Sequence, residues 1–216
     1  MKGKCKICGK EYTQSGMSRH LKSCLEKHYD KIIAEDQSQK SLYHQIYVKG
    51  TYRSDYWLQL QVKEDAKLSN LDKFLRNIWL ECCNHLSEFE INEQRFTSRG
   101  FNMSKKIKDV LREKTKFSYT YDFGSYTKLD LNVVNVFKAE SRKDKISVLA
   151  RNNQPEIKCS RCDNAAEYIC SQCRKWYCSD CLDKHDENDC MQRTDNLLPV
   201  VNSPRVGVCV YSGSQI

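Results

Sequence analysis

The clearest alternation of apolar and polar positions lies in the middle of the chain. Ile46 and Val48, then Tyr56, Leu58, Leu60 and Val62, alternate with polar neighbours, the period of half-buried strands. The period then lengthens. Leu71, Phe74, Leu75, Ile78, Trp79 and Cys82 fall on one helical face behind Ser69-Asn70-Leu71-Asp72, which resembles a capping box. A short strand is predicted around Phe89 and Ile91, and a second helix after Ser104 that buries Ile107, Val110 and Leu111. Phe117, Tyr119, Tyr121 and Phe123 next share one strand face, Gly124-Ser125 supplies a turn, and Leu129, Leu131 and Val133 share the face that follows. The order β-β-α-β-α-β-β predicts an α+β domain: a mostly antiparallel sheet with helices on one face.

Cysteine density divides the rest. Of 13 cysteines among 216 residues, eleven cluster near the two ends, and only Cys82 and Cys83 fall in the middle. Polar stretches mark the joins, Glu35–Lys40 and Arg151–Glu156, with Pro155 disfavouring helix at Gln154. The expected organisation is a zinc finger at residues 1–30, the α+β domain at 42–150, a two-zinc module at 156–192 and an extended tail at 193–216. The tail holds two X-Pro steps and enough apolar residues to dock on another domain.

Hydrophobic residues at 39% and charged residues at 30% fit a globular chain and exclude general disorder. No apolar run approaches the roughly 18 residues of a membrane span. Met-Lys-Gly-Lys-Cys at the start leads into cysteines rather than an apolar signal core, so a cytoplasmic location is expected, with no membrane partner. In a reducing compartment Cys-x2-Cys steps point to metal rather than disulfide. Cys82, Cys83 and Cys209 are left over and read as small buried hydrophobes. The formal charge of +8 counts cysteines as neutral; ten ligand thiolates remove ten charges and three Zn2+ return six, leaving +4. That is a weak attraction for a polyanion.

Cys5, Cys8, His20 and Cys24 form C-x2-C-x11-H-x3-C, a ligand set for a closed tetrahedral zinc site. The Cys-x2-Cys turn grips one side of the ion, and His20 and Cys24, four apart on a helix, grip the other. Tyr12 and Met17 supply the apolar contacts of so small a unit, and His28, a further four residues on, competes with Cys24 as last ligand. The segment resembles the two-Cys two-His zinc fingers in the variant that ends in Cys. Carried over, the family's base-reading positions fall on Thr13, Gly16 and Arg19, of which Arg19 alone is a strong reader of bases. One finger covers about three base pairs, so protein contact is at least as good a role.

Toward the other end the series is C-x2-C-x7-C-x2-C-x4-C-x2-C-x3-H-x4-C. Ligand pairs that alternate along a folded-back ribbon interleave. Cys159, Cys162, Cys178 and Cys181 are therefore expected on one ion and Cys170, Cys173, His185 and Cys190 on the other, for three Zn2+ in the whole chain. The stretch resembles B-box type 1 and HIT-type zinc fingers, the latter through Tyr168-x-Cys170 and Trp176-Tyr177-Cys178-Ser179. It departs from the B-box in ending with Cys190, and from the HIT finger in the two residues between Cys178 and Cys181. Both relatives are mainly protein-interaction modules with structural zinc.

The middle segment, from Gln45 to Val136, resembles the plasmid pRiA4b ORF-3-like family. The resemblance rests on Tyr56-Trp57-Leu58, the helix from Leu68 to Leu80, His85-Leu86-Ser87-Glu88-Phe89 and, most specifically, Tyr119-Thr120-Tyr121-Asp122-Phe123-Gly124. It implies an α+β fold and an association of some members with mobile elements. The family hairpin continues Gly-Asp-x-Trp-x-His, whereas this chain reads Gly124-Ser125-Tyr126-Thr127-Lys128-Leu129. Asp122 and His85 remain as an acid–base pair, but with no nucleophile beside them the plainer reading is that Asp122 stabilises the turn and His85 opens a strand.

Together these features predict a zinc-binding, non-enzymatic interaction protein, an adaptor or scaffold for a protein partner. The alternative is a nucleic-acid binder using Lys2, Lys4, Lys6, Lys10, Arg19, Lys22 and Lys27 for phosphate contacts. An enzyme built on the middle domain ranks last.

Overall fold

The computed structural model describes residues 1–35, 40–185, 190 and 196–214; residues 36–39 of the first expected linker lie outside them. The chain opens with a hairpin, β1 (Lys2–Cys5) and β2 (Glu11–Thr13), followed by the 22-residue helix α1 (Gln14–Glu35). The middle segment runs β3 (Lys40–Gly50), β4 (Trp57–Lys63), α2 (Leu68–Leu75), β5 (Ser87–Ile91), β6 (Gln94–Thr97), α3 (Ile107–Val110), β7 (Lys116–Tyr121), β8 (Thr127–Glu140) and β9 (Ile146–Asn152). Three short strands close the described chain: β10 (Tyr168–Cys170), β11 (Trp176–Tyr177) and β12 (Leu197–Pro199).

Nine strands form one antiparallel sheet in the order β2-β1-β9-β4-β3-β8-β7-β5-β6, and β11-β10-β12 form a small second sheet. The fold is the expected α+β type, with α2 and α3 on one face of the middle sheet. There Ile46, Val48, Leu58, Leu60 and Val62 meet Leu68, Leu71, Leu75 and Ile107, each at most 4% exposed. Each of these side chains contributes about 1.5–3 kcal/mol on leaving water.

The hairpin β1–β2 continues this sheet through β9, and α1 lies across the opposite face. Met17, Leu21 and Leu25 pack there on Tyr43, Trp57, Leu149 and Ala150. This explains β4, which reads as half-buried from sequence yet is buried on both faces from Trp57 to Val62. Gln59 and Gln61 face the side that α1 covers. Gln45 donates to the Gln59 carbonyl at 3.0 Å and Gln59 donates to Ser18 Oγ at 2.7 Å, so the polar groups pair with one another under the helix.

The first middle helix starts one residue before the expected capping box. The Asn70 side chain accepts the Lys67 N–H at 2.9 Å, and α2 then widens into a π-turn, Arg76–Leu80, closed by Glu81 N–H to Arg76 C=O at 2.8 Å. Cys82 was expected on the helix face but stands beyond its end. The second predicted helix shrinks to the single turn of α3, while β6 and β9 are strands that the hydrophobic pattern does not announce.

The tail docks on the middle domain. Ser203 Oγ donates to Trp79 C=O at 2.6 Å and Trp79 Nε1 to Asn202 C=O at 3.1 Å, while the Asn152 amide donates to Asn202 Oδ1 and the Asn202 amide to Asn152 C=O. Gly207, at φ +74°, passes so close to Ile169 that a Cβ would stand 2.5 Å from its Cδ1; this ties the tail to the second sheet as well.

Candidate metal centres

The hairpin β1–β2 carries Cys5 and Cys8 on a tight turn that passes through Gly9 at φ +75°. Thr13 Oγ1 accepts the Gly16 N–H at 3.3 Å at the start of α1, whose next turns bring His20 and Cys24 over the hairpin. The donor atoms of Cys5, Cys8, His20 and Cys24 lie within 4.8 Å of one another, so the group closes on Cys24. Tyr12 stacks on the His20 ring with centroids 4.2 Å apart.

In the second sheet, the turn after β10 places Cys173 beside Cys170, and the short 3-10 helix Ser179–Lys184 after β11 places Cys181 beside Cys178. Cys159, Cys162, Cys178 and Cys181 form one group within 4.8 Å, and Cys170, Cys173, His185 and Cys190 form another. The structure thus brings the expected residues together in the interleaved order.

A fourth group was not expected. Cys82, Cys83 and His85, on the loop between the π-turn and β5, meet Cys209 of the tail, again within 4.8 Å. The reading of Cys82, Cys83 and Cys209 as buried hydrophobes is incorrect: Cys83 is exposed and the other two are half-buried. Among the described residues the four groups use all 13 cysteines of the chain. A sequence signal did exist, since Cys82-Cys83-x-His85 offers three donors and Cys209 was the one cysteine left to complete four.

The donor chemistry and spacing of these groups fit zinc. A tetrahedral ion with Zn–S of about 2.3 Å and Zn–N of about 2.0–2.1 Å sets sulfurs about 3.8 Å apart and sulfur about 3.6 Å from nitrogen. Cys162 Sγ is 3.6 Å from Cys178 Sγ and 3.7 Å from Cys181 Sγ. Cys170 and Cys190 are 3.6 Å apart, Cys173 is 3.6 Å from His185 Nε2, and Cys8 is 3.2 Å from His20 Nε2.

The electrostatics agree. At Cys159 burial opposes ionisation, but the N–H groups of Cys178, Arg161 and Cys162 outweigh it and hold the thiol down at about 6. Its neighbour Cys181 is pushed up to about 12, first by burial and then by the sulfurs of Cys162, Cys178 and Cys159. Burial and the neighbouring Cys5 and Cys8 likewise push Cys24 up to about 12. Thiolates this close resist one another, and a divalent cation at the centre of a group favours all of them at once.

Beside the fourth group stands a buried ion pair. Arg205 is fully buried; its Nη2 donates to Asp122 Oδ2 at 2.7 Å and its Nη1 to Ser125 C=O at 3.0 Å and Thr127 Oγ1 at 3.1 Å. Asp122 Oδ1 accepts the N–H groups of Gly124 and Ser125 at 3.0 and 3.2 Å, the turn role read from the sequence. Burial works against the Asp122 carboxylate, yet Arg205 and the two N–H donors hold its pKa below the usual range. Tyr121 lies between Arg205 and Arg76, 4.8 and 5.2 Å from its ring centre, and its hydroxyl accepts the His85 N–H at 3.3 Å. The Tyr121-Asp122 pair therefore positions both the Cys82–His85 loop and the tail.

Fold and sites define the class: an antiparallel α+β domain bearing cysteine-rich groups that could hold metal at both ends. The family model described as Plasmid pRiA4b ORF-3-like protein matches residues 43–168, and the chain belongs to that family. Comparison with curated proteins gives no match. Among solved structures the chain is similar to the protein of unknown function MM3350 from Methanosarcina mazei Go1, at 18% identity over 52% of this chain and 69% of that one, with a TM-score of 0.45. Among the described residues no helix is long and apolar enough to cross a membrane.

Proposed function

We propose that the chain is a zinc-binding, non-enzymatic interaction protein. One Zn2+ sits at Cys5, Cys8, His20 and Cys24, one at Cys159, Cys162, Cys178 and Cys181, and one at Cys170, Cys173, His185 and Cys190. The observation that carries the reading is that four protein donors converge in each group, which leaves a bound ion no open position for substrate. The ions act as staples.

The surface offered to a protein partner is the end of the large sheet where the β3–β4 loop, the β7–β8 turn and the tail meet. Tyr52, Phe123, Tyr126 and Val210 are 73%, 54%, 55% and 59% exposed there, an apolar and aromatic set of the kind enriched at interfaces. The test is proximity cross-linking in the native cells, followed by reconstitution of the captured pair from purified components. Tyr52→Ser/Phe123→Ser/Tyr126→Ser is expected to weaken the pair at least tenfold with zinc content unchanged; undiminished binding counts against the reading.

One observation favours a nucleic-acid role as second reading. Lys2, Lys4, Lys6, Lys10, Arg19, Lys22 and Lys27 are all exposed, and α1 faces the sheet through Met17, Leu21 and Leu25, leaving Arg19 outward. This role requires DNA or RNA affinity that falls steeply with salt, whereas the adaptor role requires none.

A further inference from the structure

We infer that Cys82, Cys83, His85 and Cys209 form a fourth zinc site, one that binds the tail to the middle domain. Two of its edges have the lengths of a zinc tetrahedron: Cys83 Sγ to Cys209 Sγ is 3.7 Å and Cys209 Sγ to His85 Nε2 is 3.6 Å. They equal the edges found in the end groups, and all four donors lie within the same 4.8 Å. The donor set, three Cys and one His, repeats that of the group at Cys5 and of the group at Cys170.

The surroundings distinguish a metal site from the two other things such residues do. A thiol–imidazole–carboxylate relay needs the thiol on one ring nitrogen and the carboxylate on the other. Here His85 Nε2 faces both, with Asp122 Oδ2 and Cys209 Sγ each at 3.6 Å, so thiol and carboxylate share one ring nitrogen, which is not the order of such a relay. A disulfide would use Cys83 and Cys209 alone, leaving the convergence of Cys82 and His85 without a purpose.

Charge also fits. Three thiolates around Zn2+ carry a net charge of about −1, and the Arg205 guanidinium stands 3.4 Å from Cys82 Sγ. Arg205 thus lies between two anionic groups, the thiolates of the site and the Asp122 carboxylate. The backbone is shaped to this end: Asn84 and Cys209 both take the left-handed conformation, at φ +55°, which turns the loop and the tail toward each other.

The experiment is zinc stoichiometry by elemental mass spectrometry on the full chain, purified under reductant without added metal. Wild type is compared with Cys209→Ser and with Cys83→Ser, whose exposed side chain can change without disturbing the core. Each variant is expected to hold one zinc fewer than wild type, three against four, and to show faster proteolysis between residues 196 and 214. Unchanged zinc in both variants overturns the site, as does a Cys83–Cys209 disulfide in protein that retains all its zinc. The reading is a difference, so it is separate from the end staples: a wild type with one zinc, lost in Cys209→Ser, would sink the three-ion proposal and leave this one standing.

Discussion

Replacing Asp122 by Ala takes the carboxylate partner from the buried Arg205 guanidinium and leaves only the Cys82 sulfur, 3.4 Å away, to balance its charge. Arg205 is 0% exposed and its ion-pair distance is 2.7 Å, so the charge keeps its desolvation cost and loses its partner. Breaking a buried pair from one side costs about 3–5 kcal/mol. The Gly124 and Ser125 N–H groups also lose their acceptor, but they lie on an exposed turn that water reaches, so they add at most about 1 kcal/mol. Against a typical stability of about 5–15 kcal/mol this is a large fraction. With a urea slope of about 2–3 kcal/mol/M the midpoint should fall by about 1–2 M. The assay is urea unfolding at saturating Zn2+, followed by tryptophan fluorescence, since Trp79 donates to the tail at Asn202. Arg205→Met in the Asp122→Ala background should recover part of the loss, because the buried guanidinium that lost its carboxylate is gone. The pH dependence has a definite sign: a carboxyl whose folded pKa is depressed contributes stability above its unfolded value of about 3.9, and that stability is lost as pH falls through the folded value. The gap between wild type and Asp122→Ala should therefore start to narrow below about pH 4 and close only once pH is below the depressed folded value. A loss under about 1 kcal/mol at neutral pH, or no recovery in the double variant, would refute the argument that the tail is locked by a buried charge.

Gly3→Ala should cost about 1–3 kcal/mol and loosen β1 from β9, because its Cβ would meet Arg151 C=O and lie 2.6 Å from the Trp57 ring; hydrogen exchange at Lys6, whose N–H donates to Leu149 C=O, checks this. Leu21→Ala should cost about 2–5 kcal/mol by opening a cavity between α1 and the sheet, read from the same urea titration. Cys24→Ser should lower the zinc content by one equivalent while His28→Ala leaves it unchanged, since Cys24 belongs to the first group. Chelation should abolish the fold of residues 156–185, whose β10 and β11 are too short to hold without metal, and near-ultraviolet circular dichroism of Trp176 should report the loss.

Much of this was legible along the chain. The hairpin of β7 and β8 was announced by Tyr119 and Tyr121 against Leu129 and Leu131, because alternation over many residues has one structural solution. The ligand clusters near the ends were legible because their donors lie within a few turns of one another. What was not legible depends on contacts between distant segments. Gln59 alternates with Leu58 and Leu60 and so falls on the face a half-buried strand turns to water, yet Ser18 of α1, from the other side of the first linker, covers it. The fourth group spans Cys82 to Cys209, and no local spacing rule relates residues so far apart. Nothing local relates Arg205 to Asp122, 83 residues earlier in the chain. β9 was missed because Ile146, Val148 and Leu149 form a short pattern without strict alternation.

The central claim, that zinc in this chain is closed and structural, is tested most directly by X-ray absorption at the zinc edge on protein purified without added metal. The account predicts a shell of sulfur at about 2.3 Å with at most one imidazole nitrogen per ion, and no oxygen ligand. An oxygen at about 2.0–2.2 Å, or fewer than three sulfurs per zinc, would mean an open coordination position and would contradict it.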